Sequence, residues 1–251
     1  MAKLNVLSVC GSLRKGSYNA MVQRALPSLA PQDMSIKPAP SFTEFPLYNF
    51  DIQNSTGFPA PVQTLAEAIR SADGVIFCSP EYNFGIPGGL KNAIDWLSRL
   101  PNQPFAGKPI ALQSASPGPV GGARMQYEFR KSMVFLDAFT LNKPEIFIGN
   151  CVSKFDEKTG ELTDETTRGF IQQQLAAFAT FIARMHPRVD PGRSRTTTPI
   201  PRRASDPSRC VVPAVTHRVA DRPATSVCRE DSESARRAAS AVCRCLQFPG
   251  R

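Results

Sequence analysis

The sequence predicts a doubly wound parallel α/β sheet, and three observations predict it. Along the first 185 residues, short apolar runs alternate with segments of helical periodicity. Those runs are too continuous for strands with one wet face, which fits strands covered by helices on both sides. The two loops richest in glycine, proline and polar side chains follow the first and third runs, where a sheet of order 2-1-3-4-5 opens its ligand crevice.

Each element has its own warrant. Leu4-Asn5-Val6-Leu7-Ser8-Val9-Cys10 is short and β-rich, and reads as the first strand. Met21-Val22-Gln23-Arg24-Ala25-Leu26 begins a helix that Pro27 or Pro31 should end. Met34 to Lys37 reads as the second strand, followed by a Pro-rich link. Val62, Leu65, Ala66 and Ile69 then share one side of a helix from about Pro61 to Ser71. The third strand is Gly74-Val75-Ile76-Phe77-Cys78-Ser79. Leu90, Ala93, Ile94 and Leu97 fall at i, i+3, i+4 and i+7 in the helix behind it, with Pro87 suited to its first position. A strand at Pro109 to Gln113, a helix from about Ala123 to Asp137 and a strand at Glu145 to Ile148 follow. Asp164 to Met185 reads as the last of five helices, with Phe170, Ile171, Leu175, Phe178, Phe181 and Ile182 on its apolar face.

The loop after the first strand, Gly11-Ser12-Leu13-Arg14-Lys15-Gly16-Ser17-Tyr18-Asn19, can aim backbone N–H groups and a helix N-terminus at an anion. Gly11 and Gly16 have triphosphatase spacing, but Ser17-Tyr18 stands where Lys and the magnesium-binding hydroxyl belong. A dinucleotide fingerprint also fails, since the second strand runs into Pro38 without an acidic ribose ligand. What remains is one phosphate monoester held by Ser12, Arg14, Ser17, Asn19 and backbone amides, as in a mononucleotide such as FMN; a plain polar turn capping a helix is the alternative. The loop after the third strand, Pro80-Glu81-Tyr82-Asn83-Phe84-Gly85-Ile86-Pro87-Gly88-Gly89, offers aromatic rings, an amide and a stiffened backbone that could edge a planar ring.

Together with Pro87-Gly88-Gly89-Leu90-Lys91-Asn92-Ala93-Ile94-Asp95-Trp96-Leu97-Ser98-Arg99, these motifs resemble the NAD(P)H-dependent FMN reductases, which include bacterial chromate and quinone reductases. The likeness runs to about Met185. It implies a flavodoxin-like fold, bound FMN, NADPH or NADH as donor, and homodimers or homotetramers. It also implies two-electron reduction of quinones, flavins, azo compounds or metal oxyanions such as chromate. Carried over by position, Ser12, Leu13, Arg14, Lys15, Gly16, Ser17, Tyr18 and Asn19 border the phosphate; Pro80, Glu81, Tyr82, Asn83, Phe84 and Ser116 border the isoalloxazine. Arg124 and Glu145 resemble residues at a subunit contact near the flavin, an ordinary surface role being the alternative. Many relatives have Tyr where this chain has Phe84.

Charge divides the chain. Residues 1–185 carry 17 Lys+Arg against 15 Asp+Glu, whereas residues 186–251 carry 13 Arg, no Lys, 6 acidic residues and 8 Pro. The resemblance gives a flavodoxin-like reductase domain at 1–185, and the composition of 186–251 marks an Arg/Pro-rich tail that is expected to stay disordered. The tail composition matches a GC-rich gene read out of frame or past its stop, a reading favoured over a selected nucleic-acid-binding tail. Zinc binding through Cys210, His217, Cys228, Cys243 and Cys245 is the lesser reading of the tail, since their spacing is irregular. No apolar stretch suits a membrane helix, and Met1-Ala2-Lys3 leads straight into a strand, so a cytoplasmic protein without membrane partners is expected.

No histidine precedes His186, and no nucleophile–base pair is legible, which argues against Ser-His or Cys-His hydrolysis. Hydride transfer on a cofactor needs neither, and it points to a ping-pong cycle with FMN retained and no side chain as catalyst. A flavodoxin-type electron carrier is the alternative with the same fold. Cys10 and Cys78 read as small apolar fillers at strand ends. Trp96, off its helix's apolar stripe, could serve a dimer interface or the core, and Lys91 and Asp95 read as a helix-surface pair.

Overall fold

The computed structural model describes residues 3–185. The strands are β1 (Leu4–Cys10), β2 (Met34–Pro38), β3 (Gly74–Cys78), β4 (Pro109–Ala115), β5 (Phe139–Thr140) and β6 (Ile146–Ile148). The helices are α1 (Tyr18–Leu29), α2 (Phe50–Thr56), α3 (Ala60–Ser71), α4 (Gly88–Ser98), α5 (Ala123–Phe135) and α6 (Glu165–Met185). All strand pairs are parallel in the order β2-β1-β3-β4-β5, with β6 also on β4. The sequence's doubly wound sheet is the observed fold.

Period-two alternation distributes the core between two layers. Leu7, Val9, Val75, Phe77, Ile110 and Leu112 face α3, α4 and α5, while Val6, Ile76, Cys78, Ala111 and Ala115 face α1 and α6. Ile171, Leu175, Phe178 and Ile182 of α6 are buried as their spacing demands. Phe170 is 54% exposed, because one residue's rotation carries it off that face.

The expected last strand, Glu145 to Ile148, is β6, and an unexpected two-residue strand, β5, precedes it. Pro109 and Ile110 of β4 pair with β5, and Gln113 to Ala115 pair with β6. Pro144, which has no N–H for the ladder, lies in the excursion between them. The Arg130 guanidinium donates to the Thr140 hydroxyl, Leu141 O and Asn142 Oδ1, and the Gln174 amide donates to Pro144 O. Helices on opposite faces therefore hold the excursion.

Two alternatives are decided and one expectation changes. Pro27 lies inside α1, exposed in its last turn, and the helix stops two residues before Pro31. The Pro-rich link contains α2, a sixth helix with no buried residue, capped by the Asn49 side chain. Trp96 is fully buried; its Nε1 donates to Pro46 O at 2.8 Å, and Tyr48 and Phe58 pack edge-on against its ring. Its place off the aliphatic stripe serves the Pro-rich segment, with no face left for a partner. Residues 186–251, on which the tail and zinc readings fall, lie outside the described residues.

Candidate functional site

Three loops leave the C-terminal ends of β1, β3 and β4 and meet at one cleft of about 140 Å³. Ser12, Arg14, Ser17, Tyr18, Asn19, Pro80, Glu81, Tyr82, Ala115, Ser116 and Pro117 line it. This is the switch point of the sheet, since connections from β1 and β3 run to opposite sides. Gly11 lets the first two loops approach: its N–H donates to Cys78 O at 2.8 Å, and any Cβ there would collide with the Ser79 side chain.

In the first loop, Arg14 N–H donates to Ser12 Oγ, Ser17 N–H donates to Arg14 O, and Ser17 Oγ accepts from Asn19 N–H at 3.2 Å to cap α1. The N–H groups of Tyr18 and Ala20 have no acceptor among the described residues, and neither does the Arg14 guanidinium have a carboxylate partner there. Arg14 stands 5.9 Å from the Tyr18 ring, which rests on Phe155. Leu13, Lys15 and Gly16 form the exposed crest of the loop.

Asn19 borders the cleft, but its amide is committed elsewhere. Nδ2 donates to Ala115 O, and Oδ1 accepts from Ala115 N–H, both at 2.9 Å, with the residue only 2% exposed. It clamps the start of α1 to the end of β4. Glu81 is also a tie: Oε2 accepts the Met125 N–H at 3.1 Å and Oε1 meets Arg124 at 3.3 Å, closing the start of α5. These contacts span 96 and 44 residues, and no local pattern could have revealed them.

Tyr82 and Gly85 exchange backbone hydrogen bonds of 3.1 and 3.0 Å around Asn83 and Phe84, whose φ angles are 50° and 66°. The Arg124 guanidinium lies 4.2 Å above the Phe84 ring. Ser116 is held by β6: its N–H donates to Ile148 O, and its Oγ accepts from Gly118 N–H. Left-handed Gly121 and Gly122 then turn the chain into α5. Glu145 meets Lys143 at 2.6 Å and accepts from the Tyr127 hydroxyl; these bonds hold its carboxyl below the usual range. Within one chain, Arg124 and Glu145 therefore bond different partners.

Three thiols lie among the described residues, Cys10, Cys78 and Cys151. Burial pushes Cys78 far up and Cys10 up, and raises Cys151 to about 11.

The donor set fits a flavin with one phosphate. A capped helix start with unclaimed N–H groups and Arg14 matches a phosphate dianion, and the Pro80–Tyr82 and Ser116–Pro117 backbones can flank a ring.

The sequence profile of the family described as NADPH-dependent FMN reductase matches residues 4–152. The chain is 54% identical over 183 residues to a quinone reductase of Escherichia coli K12, covering 73% of this chain and 97% of that protein. It is 47% identical over 182 residues to an NAD(P)H-dependent FMN reductase of Pseudomonas aeruginosa, covering 72% and 97%. Its fold is similar to that of FerB, a flavoenzyme NAD(P)H:(acceptor) oxidoreductase of Paracoccus denitrificans, with TM-score 0.64, 31% identity, and 72% and 98% covered. The family match and these similarities agree: the chain belongs to the NADPH-dependent FMN reductase family and is an oxidoreductase that works with FMN and NAD(P)H.

Proposed function

We propose that this protein is an NAD(P)H:quinone reductase with a ping-pong cycle, in which donor and acceptor occupy one site in turn. The observation that carries the reading is the convergence of a single phosphate cradle and two ring-bordering loops at the β1/β3 switch point. The two named relatives support it. Bound FMN would supply the redox chemistry, accepting hydride from the nicotinamide and passing both electrons on.

The chain supplies position and field. Arg14, Ser17 and the first amides of α1 hold the phosphate, and the exposed Lys15 adds positive charge beside it. Pro80, Glu81, Tyr82 and Ser116 line the cleft and would edge the ring. With no histidine in residues 1–185, the protons of the reduced acceptor come from water. An open mouth also suits flavins, azo compounds and chromate as further acceptors.

The working unit in this reading is a cytoplasmic homo-oligomer, dimer or tetramer. Support comes from α5, where Val134 and Phe135 are 78% and 84% exposed on the helix that carries Arg124.

The test is an assay of NADPH and NADH oxidation with menadione, free FMN and chromate, preceded by release of the flavin on denaturation. A yellow protein that yields FMN and turns over menadione is expected. FMN release without NAD(P)H oxidation would identify an electron carrier, and a colourless protein without flavin affinity would overturn the reading.

A further inference from the structure

The turn at the rim of the cleft holds an aromatic ring in an unfavourable backbone. Asn83 and Phe84 are both left-handed, as in a type I′ turn. Asn accepts that conformation readily, whereas a bulky aromatic does not, and the usual second residue is glycine. Packing does not explain the choice. Phe84 is 66% exposed and belongs to neither core layer.

What surrounds the ring faces the site. Arg124 covers one face at 4.2 Å and is anchored on Glu81, while Tyr82 begins the turn. Glu81 and Tyr82 both line the cleft. A flat, largely exposed apolar surface is thus fixed beside the mouth, with one face braced by a cation. Strained residues persist where the surroundings over-determine them, and such places cluster at ligand sites.

We propose that Phe84 is a specificity-determining residue of the acceptor site, whose exposed ring stacks on flat ring acceptors such as quinones and so favours them over compact hydrated oxidants. This rests on the reductase reading above. Offset stacking on a fixed ring rewards planarity, which a quinone has and ferricyanide lacks.

The experiment compares wild-type, Phe84→Gly and Phe84→Tyr holoenzymes. Without NAD(P)H no turnover occurs, so calorimetric titration of the oxidised proteins with menadione reads binding alone. Phe84→Gly should bind menadione about tenfold more weakly, and Phe84→Tyr within about twofold of wild type. In turnover, the ratio of kcat/KM for menadione to that for ferricyanide should fall about tenfold in Phe84→Gly and recover in Phe84→Tyr. Because glycine suits the turn, Phe84→Gly should melt no lower than wild type. An unchanged menadione affinity, an unchanged ratio, or a lower melting point would overturn the inference while the protein remained a reductase. Failure to bind FMN at all would overturn both readings. Should Phe84→Gly prove insoluble, Phe84→Asn makes the same comparison, since Asn also tolerates a left-handed backbone.

Discussion

Arg14 illustrates what a single side chain contributes and how readily it is found. Its guanidinium has no carboxylate partner among the described residues and stands beside a helix start with unclaimed amides. Arg14→Ala should therefore weaken FMN affinity by about 1.5–3 kcal/mol, measured by titrating the apoprotein; an unchanged affinity would remove Arg14 from the site. The position was legible because a strand, a glycine and a helix cap stand next to one another in sequence. Asn19 occupies the same loop, yet its clamp on Ala115 was not legible, since that partner arrives only when β4 is in place. Trp96 teaches the same lesson: its indole N–H answers Pro46 O, 50 residues away, and helical periodicity carries no trace of that bond.

At the scale of elements, periodicity found every helix that covers the sheet and missed the one that does not. α2 buries no residue, so it has no apolar stripe to betray it. The start of α6 depends on Asp164: Oδ1 accepts from Thr167 N–H at 2.9 Å, the Thr167 hydroxyl also binds it, and these bonds hold the carboxyl below its usual range. Asp164→Ala should cost about 1 kcal/mol at pH 7 by urea denaturation. Because the folded value is the depressed one, the contribution is complete above the ordinary carboxylate pKa of about 3.9 and is lost as pH falls through the folded value. The gap between variant and wild type should therefore narrow below about pH 3.9 and then close. A gap that stayed constant into acid would mean that the cap works without its charge.

For the whole molecule, strand order followed from alternation alone, because two-sided burial and short crossovers leave few alternatives. The extra strand β5 did not, since Arg130 and Gln174 hold the segment between it and β6 from opposite layers. The sheet, helices and cleft described above lie within residues 3–185. Deleting residues 187–251 should therefore leave FMN content, melting and quinone turnover close to full-length values. Cutting back to residue 168 should ruin solubility by stripping Phe178 and Ile182 from the core. Lost activity or altered apparent mass on gel filtration after the first deletion would make the basic segment part of the working structure.

The bond pair between Asn19 and Ala115 joins two walls of the mouth through buried atoms. Its formation belongs to folding, so the gap between those walls is set before any visitor arrives. In the proposed cycle, each molecule entering in turn should therefore meet the same spacing between them. A mouth of fixed spacing selects its guests by shape, because a rigid cavity cannot adapt to a poor fit at low cost.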